Sequence, residues 1–134
     1  MANYALKNIG ELDDMAGQFG LAPDLEARFG RKALDAEKSG FSHQKMVPGF
    51  RQSFGHRHAQ QEEIYIVLSG GGRAKVGDEI IELKRLDALR VSPQTWRAFE
   101  AGGDGLELLA FGAGEAGDAE MSDDFWPRDA ADAG

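Results

Sequence analysis

Residues 49–70 read GFRQSFGHRHAQQEEIYIVLSG, and the rest of the chain is best understood outward from them. The run EEIYIVL (62–68) is rich in β-branched and aromatic residues and stops at Ser69-Gly70-Gly71-Gly72, which marks a strand closed by a turn. In an extended strand, residues two apart share a face. His56 and His58 therefore present two imidazoles side by side. Glu63 follows after a short turn through Ala59-Gln60-Gln61, so the returning strand can bring its carboxylate beside them. If Glu63 faces inward, so do Tyr65 and Val67, while Ile64, Ile66 and Leu68 face the other way. Two imidazoles and one carboxylate suit a divalent first-row metal, as in non-haem iron(II) sites or a zinc site with an open position. Iron, manganese, zinc and nickel are the candidate ions. The competing reading is a set of solvated or hydrogen-bonded polar residues, because such a cluster becomes a site only by converging in space.

The surrounding residues 37–112 share one texture. FSHQKMV (41–47) reads as a strand ended by Pro48-Gly49. RAKV (73–76) and EIIEL (79–83) flank Gly77-Asp78, a hairpin signal. DALRV, a turn at Ser92-Pro93-Gln94, WRAFE, a glycine-rich turn at 102–105 and LELLAF follow. Many short strands without a strand–helix–strand rhythm predict an all-β barrel or sandwich. Residues 1–36 read as a short helical or irregular arm packed on it. Leu12, Met15 and Phe19 recur at helical spacing, Pro23-Asp24 suits a helix start, and Leu25 and Phe29 would then share a face. Residues 113–134 are acidic and small, and are expected to be largely flexible. Phe125 and Trp126 are the exception, expected to dock on a groove of the barrel or of a partner subunit.

The 134 residues suffice for one domain with its own core. With no cysteine, disulfide scaffolds, zinc knuckles, iron–sulfur clusters and thiol chemistry are excluded. That composition fits a reducing compartment, and a cytoplasmic location is expected. The opening MANYALKNIGELDD has no basic segment followed by a long apolar run, so neither a signal peptide nor a membrane span is expected. A net charge of −8 offers no basic patch for phosphates, so nucleic acid is not an expected partner. A local group of Arg51, Arg57, Arg90 and Arg97 could still face an anionic ligand. The strand with two apolar faces predicts a homodimer, in which Ile64, Ile66 and Leu68 gain cover.

The whole of residues 49–70 closely resembles the first motif of the cupin superfamily. Six residues separate Gly49 from the His56-x-His58 pair, one more than usual; four more precede Glu63, and a further six precede Gly70. Glu62 is the neighbouring alternative, but the spacing to Gly70 selects Glu63. The second motif is degraded in LDALRVSPQTWRAFEA (86–101). Leu86 stands at its glycine, Asp87 at its aspartate, Ser92 and Gln94 at its Pro-x-Gly turn, Arg97 at its fourth metal ligand and Ala101 at its asparagine.

The resemblance covers roughly residues 37–112. It implies a double-stranded β-helix, frequent homodimers and a metal inside the barrel, but no single activity. An arginine cannot ligate a metal. Arg97 therefore points away, pairs with Glu63 in place of the metal, or grips an anionic ligand from the cavity rim. His43 could add a third imidazole, and Gln52, Tyr65, Trp96 and Phe99 are further pocket candidates. Two functions follow as expectations. One is a metal-dependent oxygenase or isomerase acting on a small polar or anionic molecule. The other is a metal-free, non-catalytic module that binds or senses a small molecule.

Overall fold

Two long strands organise the chain, β4 (Glu62–Val76) and β7 (Arg97–Ala113), paired antiparallel along nearly their whole length. The computed structural model describes residues 3–114, 117–123, 125 and 126. Around the central pair lie β1 (Leu25–Phe29), β2 (Ser39–Met46), β3 (Gly55–His58), β5 (Glu79–Leu83), β6 (Ala88–Val91) and β8 (Ala119–Ser122). All pair antiparallel in one eight-stranded sheet. One path runs β1-β2-β7-β3-β8, and β4 pairs with β5, β6 and β7. The sheet curls into a jelly-roll half-barrel, the all-β fold expected from the strand and turn rhythm.

Bulges let the two long strands serve both halves of the curled sheet. The β4–β7 register shifts between Val67 and Ser69 and again between Gly70 and Gly72. Gly70 has φ 71°, and a Cβ there would lie 2.1 Å from the Gly105 carbonyl oxygen, so only glycine fits. The buried face changes parity across this point. On β4 it passes from Tyr65 and Val67 to Ala74, and on β7 from Phe99 and Ala101 to Leu106, Leu108 and Ala110. These side chains, with Leu25, Ala27, Met46, Leu83 and Val91, form the core. Ile64 is exposed and Ile66 and Leu68 are half-buried, as the parity of Glu63 requires.

The N-terminal segment has the short helical and irregular elements expected, but its last part is a strand. It has two single-turn 3-10 helices, Ile9–Glu11 and Ala16–Phe19, and then β1. Leu25 and Phe29 lie on a strand, not a helix, with Leu25 and Ala27 buried. Pairing with the free edge of β2 supplies β1 with backbone partners and burial that an isolated short helix would lack. Asp14 ties the arm down: its Oδ1 accepts from the backbone N–H of Ala16 (3.0 Å) and of Ala27 (2.9 Å).

Beyond residue 113, in the segment expected to be flexible, β8 pairs with β3. Phe125 and Trp126 lie on the barrel. Trp126 is 8% exposed, donates its indole N–H to the Gln52 carbonyl at 2.6 Å and sits under Arg51. The Phe125 ring faces the Lys75 ammonium at 3.7 Å. The remainder of that expectation falls on residues 115, 116, 124 and 127–134, outside the described residues.

Leu86 and Gln94 hold φ 71° and 67°, in the left-handed region. Both stand where the resembling motif carries glycine, so the turns persist without the residue that suits them. A side chain in this region costs about 1–2 kcal/mol, against about 0.5–1 kcal/mol of extra chain entropy lost by glycine. Leu86 is 64% exposed and gives up little packing. Leu86→Gly and Gln94→Gly should therefore each raise the thermal midpoint, by up to about 3 °C for a domain this size. A drop in both variants, measured by calorimetry, would contradict this assignment of strain.

Candidate metal centre

The strand registers deliver three side chains to one point. On β3, His56 lies opposite Arg97 of β7 and Met121 of β8, and His58 lies opposite Ala119. Glu63 enters from β4, between Val91 of β6 and Gly112 of β7. The end of β3 is fixed on both sides. The Gln94 backbone N–H donates to the His58 carbonyl at 2.6 Å, and the Ala59 N–H donates to the Asp118 carbonyl at 3.2 Å. Gly112 lets the Gln61 side chain lie across it, since a Cβ there would meet Gln61 Oε1 at 2.3 Å.

One oxygen is the hub. Glu63 Oε1 accepts a hydrogen bond from the Tyr65 hydroxyl at 2.5 Å. It lies 3.1 Å from His58 Nε2, 3.5 Å from His56 Nε2 and 3.5 Å from Arg97 Nη1. His58 Nε2 is buried and, despite its proximity to Glu63, is not aligned for a hydrogen bond with any described residue. Its other nitrogen, Nδ1, lies 2.7 Å from Asp118 Oδ1, which sets the ring's orientation. Asp118 is held in turn by the backbone N–H groups of Gln60 (2.8 Å) and Gln61 (3.0 Å).

The charges follow from these contacts. Burial alone would raise the Glu63 pKa, but the close His56 and His58 imidazoles and the hydrogen bond from Tyr65 outweigh it and hold the carboxyl well below the usual carboxylate range. Glu63 beside Nε2 raises the His58 pKa above 6.5, against the opposing effect of burial and with help from Asp118. Desolvation opposes ionisation of Asp118, yet the Gln60 N–H, His58 and the Gln61 N–H bring its pKa down to about 2. Burial, reinforced by the Glu63 charge, pushes the Tyr65 phenol well above 10. Tyr65 therefore stays a hydrogen-bond donor at neutral pH.

The donor set fits a divalent metal. The ligating atoms of His56, His58 and Glu63 lie within 4.8 Å of one another. Metal bonds of about 2.0–2.2 Å place neighbouring ligand atoms about 3.0 Å apart at right angles and about 3.4 Å apart in a tetrahedron. The observed 3.1 and 3.5 Å to Glu63 match that spacing. The cluster opens on a cavity of about 240 Å³. Its apolar wall includes Phe19, Leu25, Phe29 and Phe54, and its polar wall is Ser42, Gln44 and Gln52. A second cavity of about 260 Å³, with Arg31 and Gln61 in its wall, shares His58 and Glu63.

The other candidates fall in different places. Gln52 and Tyr65 line the first cavity. Phe99 lies beneath it, 1% exposed, with its ring 4.6 Å from that of Tyr65. Trp96 sits under the Arg57 guanidinium instead of in the cavity wall. His43 is on the opposite face of β2 from Ser42 and Gln44, paired with Glu107 at 2.6 Å, so strand parity removes it from the cluster. Arg97 is not at the rim. It is fully buried, with Nη2 donating to the Ser92 carbonyl at 3.0 Å and with Nε and Nη1 lacking a hydrogen-bond partner among the described residues. The position opposite His56 turns its side chain inward beneath Glu63, where it is the nearest fixed positive charge. The sequence reading missed Asp118, Ser42 and Gln44. Strand parity from the buried Met46 would have put Ser42 and Gln44 on the cavity face, whereas Asp118 carried no local signal in its acidic surroundings.

Residues 42–111 match the family model described as Cupin domain. Among solved structures, a cupin protein from Bacteroides fragilis is similar at 26% identity over 87% of this chain and 88% of that one, with TM-score 0.70. Oxalate decarboxylase from Bacillus subtilis is similar at 16% identity over 87% of this chain and 32% of that one, with TM-score 0.70. KdgF from Halomonas is similar at 15% identity over 87% of this chain and 97% of that one, with TM-score 0.62. The last two likenesses concern the fold alone. No curated protein matches the chain.

The pKa shifts give a signed prediction for the metal-free protein. The raised His58 contributes stability that is full below its ordinary 6.5 and is lost as pH rises through the folded value. The lowered Glu63 contributes stability that is present above its ordinary 4.5 and is lost as pH falls toward the folded value. The pair therefore contributes most between 4.5 and 6.5. The gap in thermal midpoint between wild type and His58→Gln, both metal-stripped, should be widest in that window and narrow toward about pH 9. A gap that widens steadily above neutrality would contradict the assignment.

Proposed function

The chain belongs to the cupin-domain family, and from that premise we propose that it holds one divalent metal through His56, His58 and Glu63 and binds a small polar molecule beside it. The observation that carries this reading is the buried His58 Nε2, which is oriented from behind by Asp118 and has no hydrogen-bond partner among the described residues. Leaving such a nitrogen buried and unsatisfied is costly, and a metal bond removes the cost. Bound there, a metal would supply Lewis-acid polarisation of an oxygen on the ligand. The chain's own groups do the rest. Glu63 stays ionised, Tyr65 fixes Glu63 Oε1, Asp118 fixes the His58 ring, and Phe19, Phe29 and Phe54 give the cavity an apolar wall.

The finer reading is a metal-dependent oxygenase or isomerase. The ion separates the two: iron(II) with open positions suits dioxygen chemistry, and zinc, manganese or nickel suits isomerisation without redox change. The fold itself selects neither.

A second reading rests on Arg97. Its buried guanidinium, 3.5 Å from Glu63, is a built-in counter-charge that would let a metal-free barrel keep Glu63 ionised and act as a binding module.

Metal analysis of untagged protein separates the readings. The metal-centre reading expects about one equivalent per chain, and His58→Ala should lower affinity by at least about tenfold. Arg97→Met should retain or tighten metal binding, because it removes a repelling charge. If wild type stays metal-free after incubation with manganese, iron, zinc and nickel, and Arg97→Met destabilises the fold by about 3–5 kcal/mol, the binding-module reading replaces it.

A further inference from the structure

We infer that the cavity beside the candidate metal centre takes a neutral, polyhydroxylated ring of monosaccharide size, held on Ser42, Gln44 and Gln52. This rests on the proposed small-molecule role of that cavity but not on the metal. The three side chains form a ladder up one wall. The Phe99 backbone N–H donates to Gln52 Oε1 at 3.0 Å, Gln52 Nε2 donates to Gln44 Oε1 at 3.4 Å, and Gln44 Nε2 donates to Ser42 Oγ at 3.3 Å. The last two bonds are long, at the weak end for amide donors. Each uses one of two amide hydrogens, leaving a second N–H on Gln44 and on Gln52 and the hydroxyl proton of Ser42 for a ligand. Alternating donors and acceptors along this wall match a row of hydroxyl groups, each of which both gives and takes a hydrogen bond.

The rest of the cavity supports the same chemistry. Phe19, Phe29 and Phe54 add apolar faces to the same cavity, with Phe29 directly across the β1–β2 register from Ser42, and these suit the C–H surface of such a ring. The volume, about 240 Å³, lies below the range for drug-sized ligands and suits a single small ring. Charge argues against an acid. Among the described residues, no lysine or arginine lines this cavity, and Glu63 is its one carboxylate. Arg97, the obvious anion anchor in the sequence, is buried beneath the site with Nη2 committed to Ser92. In the neighbouring cavity, Arg31 spends Nη1 on the Gly114 carbonyl and Nη2 on the Glu37 carbonyl, both at 2.6 Å.

The test follows the side-chain amide signals of Gln44 and Gln52 by NMR in the full chain, metal-stripped and zinc-loaded. The neutral probes are D-glucose, D-galactose, D-mannose, D-xylose and myo-inositol, and the acidic probes are D-glucuronate and D-galacturonate. At least one neutral probe should shift these signals saturably, with a dissociation constant below about 10 mM. In metal-stripped protein the uronates should bind at least about tenfold more weakly, because their carboxylate would lose water without gaining a lysine or arginine partner among the described lining residues. Ser42→Ala and Gln44→Ala should each weaken the neutral probe about fivefold, the scale of one neutral hydrogen bond. If Gln44→Ala fails to fold, Ser42→Ala, which removes one hydroxyl from an intact strand, carries the comparison. The inference is overturned if no neutral probe gives a saturable shift up to about 100 mM, if the uronates bind more tightly to metal-stripped protein, or if Ser42→Ala binds as wild type. Zinc content measured on the same samples keeps failure of the metal reading separate from failure of this one.

Discussion

A carboxylate placed inside a protein must be compensated, and the Glu63 carboxylate, 14% exposed, is where this fold meets that demand. A phenol, two imidazoles and a guanidinium surround a single oxygen of it. Coulomb attraction at these distances is several kcal/mol even at an effective dielectric near 20, enough to hold the carboxyl ionised against the desolvation that opposes it. The four partners differ in kind. Tyr65 donates a hydrogen bond and is fixed by burial. Arg97 contributes charge without an aligned hydrogen bond. The histidines alone combine lone pairs with an orientation that sends them toward a shared point, which is why the cluster reads as a ligand set and not merely as an ion pair.

The architecture serves that arrangement. The bulge at Gly70 and Gly105 flips the inward face of β4 and β7, so Glu63 and Arg97 both point inward although they come from opposite ends of the paired strands. The β3–β7 register puts His56 across from Arg97, and β8 closes the far side of β3 and brings Asp118 to His58. The Trp126 indole bonds the Gln52 carbonyl, and the Gln52 side chain caps the Phe99 N–H and faces the cavity. The described residues of the C-terminal segment are thus part of the site's scaffold.

The sequence made the central cluster legible because its information is local. Period-two alternation aligns His56 with His58 and sets Glu63, Tyr65 and Val67 on one face, and the structure keeps that parity. Three features escaped for a shared reason. Asp118 acts on residues about sixty positions earlier, and nothing near it marks it out. Leu25 and Phe29 satisfy both a helical and a strand period, and only pairing with the edge of β2 decides between them. For Arg97 the residues left three placements open, the rim among them; its full burial goes with the inward parity set across the bulge on the same strand, which no local pattern specifies. Leu86 and Gln94 show the converse, since the turns of the degraded motif survive in positive φ although neither glycine remains.

The space between His56, His58 and Glu63 belongs either to a metal or to the Arg97 counter-charge. A crystal grown in excess zinc, with diffraction recorded on both sides of the zinc absorption edge, addresses this directly. A metal centre gives one anomalous peak within about 2.2 Å of both Nε2 atoms and of a Glu63 oxygen, and that is the expected result. No peak there, with Arg97 hydrogen-bonded squarely to Glu63, would contradict it.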